Sequence, residues 1–324
     1  MLNFHVVNSV KGGCGKTTVS LYLANYLRKQ ANHCPVIIDL DICGSTWYSN
    51  NIKYIKDNEY IKDNDKGSIT FLNDLFYNFE KNSGKNYLIG LNIKDASKDE
   101  QLKVVMVDPD RLTSMDDETL DIIENTIFQL VYQLSSPQYD ADGKLEKEIT
   151  DIIFDLPPGY EKHSERMVRH LLMNLRSPLY KKLDNYEIYL YMVSNLNVAA
   201  FEANLNYVYN LFENSQYSLD NSILKKENIT FILNDISNLL KKEVAKVEYR
   251  KKTALESIKN KYTPNDNKYK DYLENNNTNI LLNDITVIDQ SFFVEESNLD
   301  FDRGKIKTQI ENIFKEFLGT GEKS

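Results

Sequence analysis

The chain has 324 residues, 41% of them hydrophobic, which is enough to bury a large core, and its net charge of −9 disfavours a protein coated all over by nucleic acid. It contains no run of eighteen apolar residues, and it enters an apolar strand pattern at once. Neither a membrane span nor a signal peptide is therefore expected, and a cytoplasmic location is. The three cysteines, Cys14, Cys34 and Cys43, lack C-x-x-C spacing, which argues against a disulfide framework, a zinc site or an iron–sulfur cluster.

In chain order, NFHVVN at 3–8 predicts a first strand, and Val19, Leu23 and Leu27 then recur at helical spacing. Between them lies KGGCGKTT at 11–18. Gly12, Gly13 and Gly15 let the backbone turn tightly and aim N–H groups at an anion, with Cys14 as a small residue within the turn. The helix that follows adds its positive N-terminal end, at Lys16, Thr17 and Thr18. Lys16 supplies a point charge for terminal phosphates, and the Thr17 hydroxyl is placed to ligate Mg2+. The segment predicts a nucleoside triphosphate site.

PVIIDL at 35–40 is a continuous apolar run of the kind buried on both faces of a parallel sheet, and it delivers Asp39 and Asp41 to the ligand end of the strand. Further strands are predicted at 102–107, 149–156, 188–193, 229–233 and 285–288. Helical patterns are predicted at 68–80, 118–134, 163–175, 198–212 and 305–318. Alternation of this kind predicts an α/β fold with a doubly wound, mostly parallel sheet and helices on both faces, and the phosphate-binding loop at 11–18 makes the expected class a P-loop NTPase. No repeat is present. One domain spanning 1–324 is expected, with insertions near 49–100 and 240–284. Asn and Asp clusters at 49–66, 82–100 and 262–284 read as solvated loops. IIFDLPPG at 152–159 ends a strand in Asp155, a carboxylate suited to completing a magnesium shell, and two prolines halt the chain after it.

Taken together, KGGCGKTT at 11–18, DLD at 39–41, DLPPG at 155–159 and LND at 233–235 resemble, in order and context, the ParA/MinD superfamily of deviant Walker A ATPases. The resemblance implies ATP and Mg2+ as cofactors, slow hydrolysis, and a homodimer formed on ATP binding. In it Lys11, the extra leading lysine, reaches across the interface to the partner's nucleotide. It further implies that Asp41 orients the attacking water with Asp39 supporting the loop and the metal, and that the Asn234 amide reads the adenine edge. Ile42 and Cys43 stand where the family more often has proline and a polar residue, and 49–100 and 240–284 have no counterpart in it.

The surface such a dimer would bind is signalled more weakly. Residues 241–270 hold ten Lys/Arg against four Asp/Glu, including Lys241, Lys242, Lys246, Arg250, Lys251 and Lys252, a pattern compatible with non-specific DNA and equally with a solvated face. Arg166, Arg169 and Arg176 form a second such stripe. Ile306, Ile310, Ile313, Phe314 and Phe317 make one apolar face of a last helix. Its polar side mixes lysine with glutamate, so packing on the sheet is expected rather than membrane attachment. The expected role is partitioning of DNA or positioning of cargo with a ParB-like or other activating protein, on the nucleoid if DNA is the matrix. A membrane-bound positioning ATPase, or a nucleotide-switched binding module with negligible turnover, is the alternative.

Overall fold

A computed structural model describes residues 2–28, 30–41, 70–71, 90–91, 102–106, 131, 149–158, 168, 186–195, 197–213, 224, 228–235, 249, 252–254, 256–257, 260–261 and 286–289. Nine strands among them join one sheet. They are β1 (Leu2–Asn8), β2 (Pro35–Asp39), β3 (Thr70–Phe71), β4 (Gly90–Leu91), β5 (Leu102–Met106), β6 (Asp151–Asp155), β7 (Tyr186–Ser194), β8 (Ile229–Asp235) and β9 (Thr286–Asp289). Helix α1 (Lys16–Arg28) follows β1, and α2 (Val198–Glu213) follows β7.

The order is β3-β5-β2-β6-β1-β7-β8-β9, parallel throughout, with β4 pairing antiparallel to the start of β5. Every residue of β1, β2 and β6 is buried, as expected of strands covered on both faces. Phe4 of β1 stacks near Phe154 of β6, and Phe201 of α2 meets Phe231 of β8 edge-on at 5.3 Å. The register sets Asp39 beside Asp155 and Asp155 beside Val7, so the ends of β2, β6 and β1 lie at one level. β2 and β6 leave β1 on one side and β7 on the other. That reversal opens the crevice in which such sheets place ligands.

The strands predicted from apolar runs agree to within two residues at either end. The helix predicted at 68–80 is corrected, because Thr70–Phe71 pairs with Val105 and Met106 as an edge strand. Gly90–Leu91 likewise belongs to the sheet rather than to a solvated loop. Val131 and Val168 are helical and buried, in keeping with the patterns at 118–134 and 163–175. The last helix at 305–318, the arginines at 166, 169 and 176, and Lys241, Lys242, Lys246, Arg250 and Lys251 lie outside the described residues.

Candidate nucleotide site

The turn between β1 and α1 is held open by its glycines. Gly13 (φ 70°) and Gly15 (φ 87°) adopt the left-handed backbone that other residues enter only with strain. Gly12 does not, and a Cβ there would only touch Pro158 at 3.6 Å, so the expectation that all three glycines serve the tight turn is corrected. Gly12 instead sits against the prolines after Asp155. Cys14 is buried, its thiol 3.8 Å from the Gly12 carbonyl.

Lys16 opens α1 and is almost wholly buried, its Nζ 3.3 Å from Asp41 Oδ2. Asp39 and Asp155 end their strands close by. Asp39 Oδ1 accepts the Asp41 N–H at 2.9 Å, which fixes the turn that carries Asp41. Three carboxylates thus share one ammonium. Burial and then the neighbouring Asp155 push the Asp39 carboxyl well above the ordinary carboxylate range, with the Asp41 N–H and Lys16 opposing. Burial likewise lifts Asp155 to about 7, opposed by the Thr17 hydroxyl and Lys16 and aided by Asp41. Oδ2 of Asp39 and both oxygens of Asp155 are buried with no hydrogen bond of normal geometry.

Carboxyls whose neighbouring donors do not offset burial are costly to ionise, and a divalent cation is a ligand that would relieve them. Thr17, half-buried at the first turn of α1, adds a hydroxyl to the same corner. Among the described residues no three His, Cys, Asp or Glu side chains converge on one metal position. A cation here would therefore draw most of its shell from phosphate oxygens and water, as Mg2+ does in nucleotide sites. The residues fit that ion.

Lys11 is exposed at the mouth of the turn. The Ser9 hydroxyl accepts its N–H (3.2 Å) and donates to its carbonyl (2.8 Å). Asn204, on α2, accepts the Val10 N–H at 3.0 Å and donates to the Val193 carbonyl at 3.0 Å. Neither Ser9 nor Asn204 was singled out by motif. The available signal was one amide inside the apolar face of the 198–212 helical pattern. Asn234, expected to read a base edge, ends β8 fully buried and gives its amide N–H to the Cys14 carbonyl at 2.8 Å, while its Oδ1 has no partner. In this state its donor half braces the phosphate loop. Thr18 is half-buried in the first turn of α1.

The profile of the CobQ/CobB/MinD/ParA nucleotide binding domain matches residues 5–299. Among solved structures, the MinD cell division protein of Aquifex aeolicus is 15% identical over 98% of both chains with a TM-score of 0.50. A putative plasmid partition protein from Borrelia burgdorferi B31, bound to AMPPNP, is 16% identical over 98% of both chains with a TM-score of 0.48. No curated protein matches the sequence. At 15% identity the likeness to the Aquifex protein bears on the fold alone, which is that of an α/β P-loop NTPase.

Proposed function

We propose that this chain, which belongs to the CobQ/CobB/MinD/ParA nucleotide-binding family, is an Mg2+-dependent ATPase that dimerises on ATP and partitions DNA or positions cargo. The carrying observation is the three-carboxylate cluster around Lys16, with the Asp39 and Asp155 carboxyls lifted by burial, at the foot of a loop whose leading lysine is exposed.

Lys16 is paired with Asp41 at 3.3 Å. Phosphate oxygens carry more charge than one carboxylate and compete for the same ammonium, which releases Asp41. The released Asp41 carboxylate then faces the terminal phosphate and accepts a hydrogen bond from an attacking water, which it thereby orients. Thr17, Asp155 and Asp39 would hold the magnesium ion, which when bound supplies charge neutralisation at the phosphate oxygens. Lys11 points its charge at a second subunit's phosphates, tying turnover to pairing. The Asn234 Oδ1 accepts from the adenine amino group, which favours ATP.

For the matrix, non-specific DNA is the reading we favour, with the cycle reset by an activating protein in the cytoplasm. Its support is the set of described helical residues at 249, 252–254, 256–257 and 260–261, all exposed except Ala254. There Lys252 lies 3.9 Å from Glu256 with both side chains largely in solvent, and Lys261 pairs with Glu202 of α2 at 2.7 Å. Exposed pairs of this kind are weak and yield readily to a phosphate backbone.

Sizing the protein with Mg-ATP, ADP and a non-hydrolysable analogue, with phosphate release followed with and without DNA, tests the proposal. Dimer with ATP alone and DNA-stimulated turnover are expected, both lost in Lys11→Ala, with nucleotide binding lost in Lys16→Ala. Binding and dimerisation without turnover would instead mark a nucleotide-switched binding module. Indifference to Lys11→Ala would refute the cross-subunit role.

A further inference from the structure

We propose that Asn204 is a positioning residue for Lys11, acting with Ser9 to fix the backbone from which the leading lysine reaches its target. This inference rests on the function proposed above.

Helix α2 turns an apolar face to the sheet through Ala200, Phe201, Leu205, Val208 and Leu211, all buried. Asn204 sits within that face at 1% exposure, where leucine would bury more apolar surface without needing partners. Both ends of its amide are used, and both on backbone from elsewhere: the Val193 carbonyl at the end of β7 and the Val10 N–H at the entry to the phosphate loop, 194 residues away in sequence. One turn before it, Phe201 lies edge-on against Phe231 of β8, so the helix that carries the amide is itself firmly seated. The next link is Ser9, whose hydroxyl closes on both the N–H and the carbonyl of Lys11. From Val10 to Lys11 every backbone donor is thereby held by a side chain of fixed position.

The consequence is specific to the lysine. A long, exposed side chain loses rotamer freedom when it engages an anion, and a backbone already locked beneath it reduces what remains to be ordered. The phosphate-facing part of the loop does not depend on this clamp. Its left-handed glycines set its shape, and the Asn234–Cys14 contact braces it from β8. Loss of the clamp therefore loosens Lys11 and leaves the cradle of Lys16 in place.

The full-length chain tests this with Asn204→Ala, Ser9→Ala, Lys11→Ala and the double variant Asn204→Ala/Lys11→Ala. Mg-ATP-dependent dimerisation is followed by sedimentation velocity, turnover by phosphate release, and monomer affinity with fluorescent ADP. Asn204→Ala and Ser9→Ala are each expected to lower dimerisation and turnover about tenfold, the scale of one lost buried hydrogen bond. ADP affinity is expected to stay within about threefold, and the double variant to be no worse than Lys11→Ala alone, because the clamp acts only through that residue. Unchanged turnover, effects that add in full to Lys11→Ala, or an ADP affinity that falls as far as turnover would each overturn the proposal. Should Asn204→Ala not fold, Ser9→Ala decides by the same criteria. A wild-type protein whose dimerisation and turnover ignore Lys11→Ala removes the proposed function and this inference together. A wild type that depends on Lys11 but ignores the clamp variants removes this inference alone.

Discussion

Asp151→Asn exposes how much of the fold hangs on one carboxylate at the start of β6. The side chain is fully buried and collects four donors: Asn3 Nδ2 at 2.9 Å and His5 Nε2 at 3.0 Å on one oxygen, His33 Nδ1 at 2.7 Å and the Thr150 hydroxyl at 2.6 Å on the other. Thr150 in turn accepts the Cys34 N–H at 2.7 Å, and His5 Nδ1 lies 3.1 Å from the Tyr191 hydroxyl. Burial alone would raise the carboxyl's pKa. The hydrogen bonds from His33 and His5, the charge of His5 and the Thr150 hydroxyl together hold it well below the ordinary value.

An Asn amide in its place turns an N–H₂ toward donors on one side and removes the charge that the histidines answer. Breaking a buried charged network from one partner costs about 3–5 kcal/mol. The sign with pH follows from the depressed pKa: the carboxylate's contribution is complete above 3.8, the value of a free aspartate, and is lost as pH falls below it. Urea unfolding followed by circular dichroism at pH 7 and at about pH 2.5, well below the free aspartate value, measures both effects. The wild type is expected to exceed the variant by several kcal/mol at pH 7, with the gap narrowing in acid. A gap under about 1 kcal/mol at pH 7, or one that does not change with pH, refutes the reasoning.

Two further substitutions probe the nucleotide end. Asp155→Asn removes one charge from a crowded buried trio and is expected to raise the melting temperature of the nucleotide-free protein while abolishing its stabilisation by Mg-ATP. A drop in melting temperature without nucleotide would contradict the crowding argument. Gly15→Ala forces an alanine into left-handed backbone and is expected to cost about 1–2 kcal/mol, whereas Gly12→Ala, meeting Pro158 at ordinary contact distance, is expected to leave stability nearly unchanged. Thermal melts of the pair decide it, since equal losses would mean that the loop's shape does not rest on the left-handed positions.

The central strands were legible because a run such as PVIID has only one comfortable environment, burial on both faces, and because the chemistry-bearing residues follow such runs directly. Thr70–Phe71 and Gly90–Leu91 were not legible, since a two-residue edge strand has no periodicity and borrows its conformation from β5. The site's participants were readable but not their partners. The position of Asn234 after an apolar run could be read, but its amide's donation to the Cys14 carbonyl, 220 residues away, leaves no local pattern. Asn204 was hidden for a different reason: a single amide inside an apolar helical face looks like tolerated polarity until its two backbone contacts are seen.

Strand β6 carries one aspartate at each end, and their opposite treatment says where binding energy is stored. Asp151 is surrounded by donors, so its charge is already compensated and contributes to holding β1, β2 and β6 together. Asp155, four residues on and equally buried, meets only the hydroxyls of Thr17 and Ser20 and the charge of Lys16, which do not offset its burial, and Oδ2 of Asp39 across the ladder has no hydrogen-bond partner. A protein selected only for stability would have no reason to treat the two alike in burial and so differently in donors. Under the function proposed above, a cation and phosphates arriving at the Asp155 end would offset that burial cost, and part of the free energy of ligand binding would come from its relief. The donors around Asp151 hold its carboxyl well below the ordinary range, whereas those around Asp155, the Thr17 and Ser20 hydroxyls and Lys16, leave it lifted to about 7.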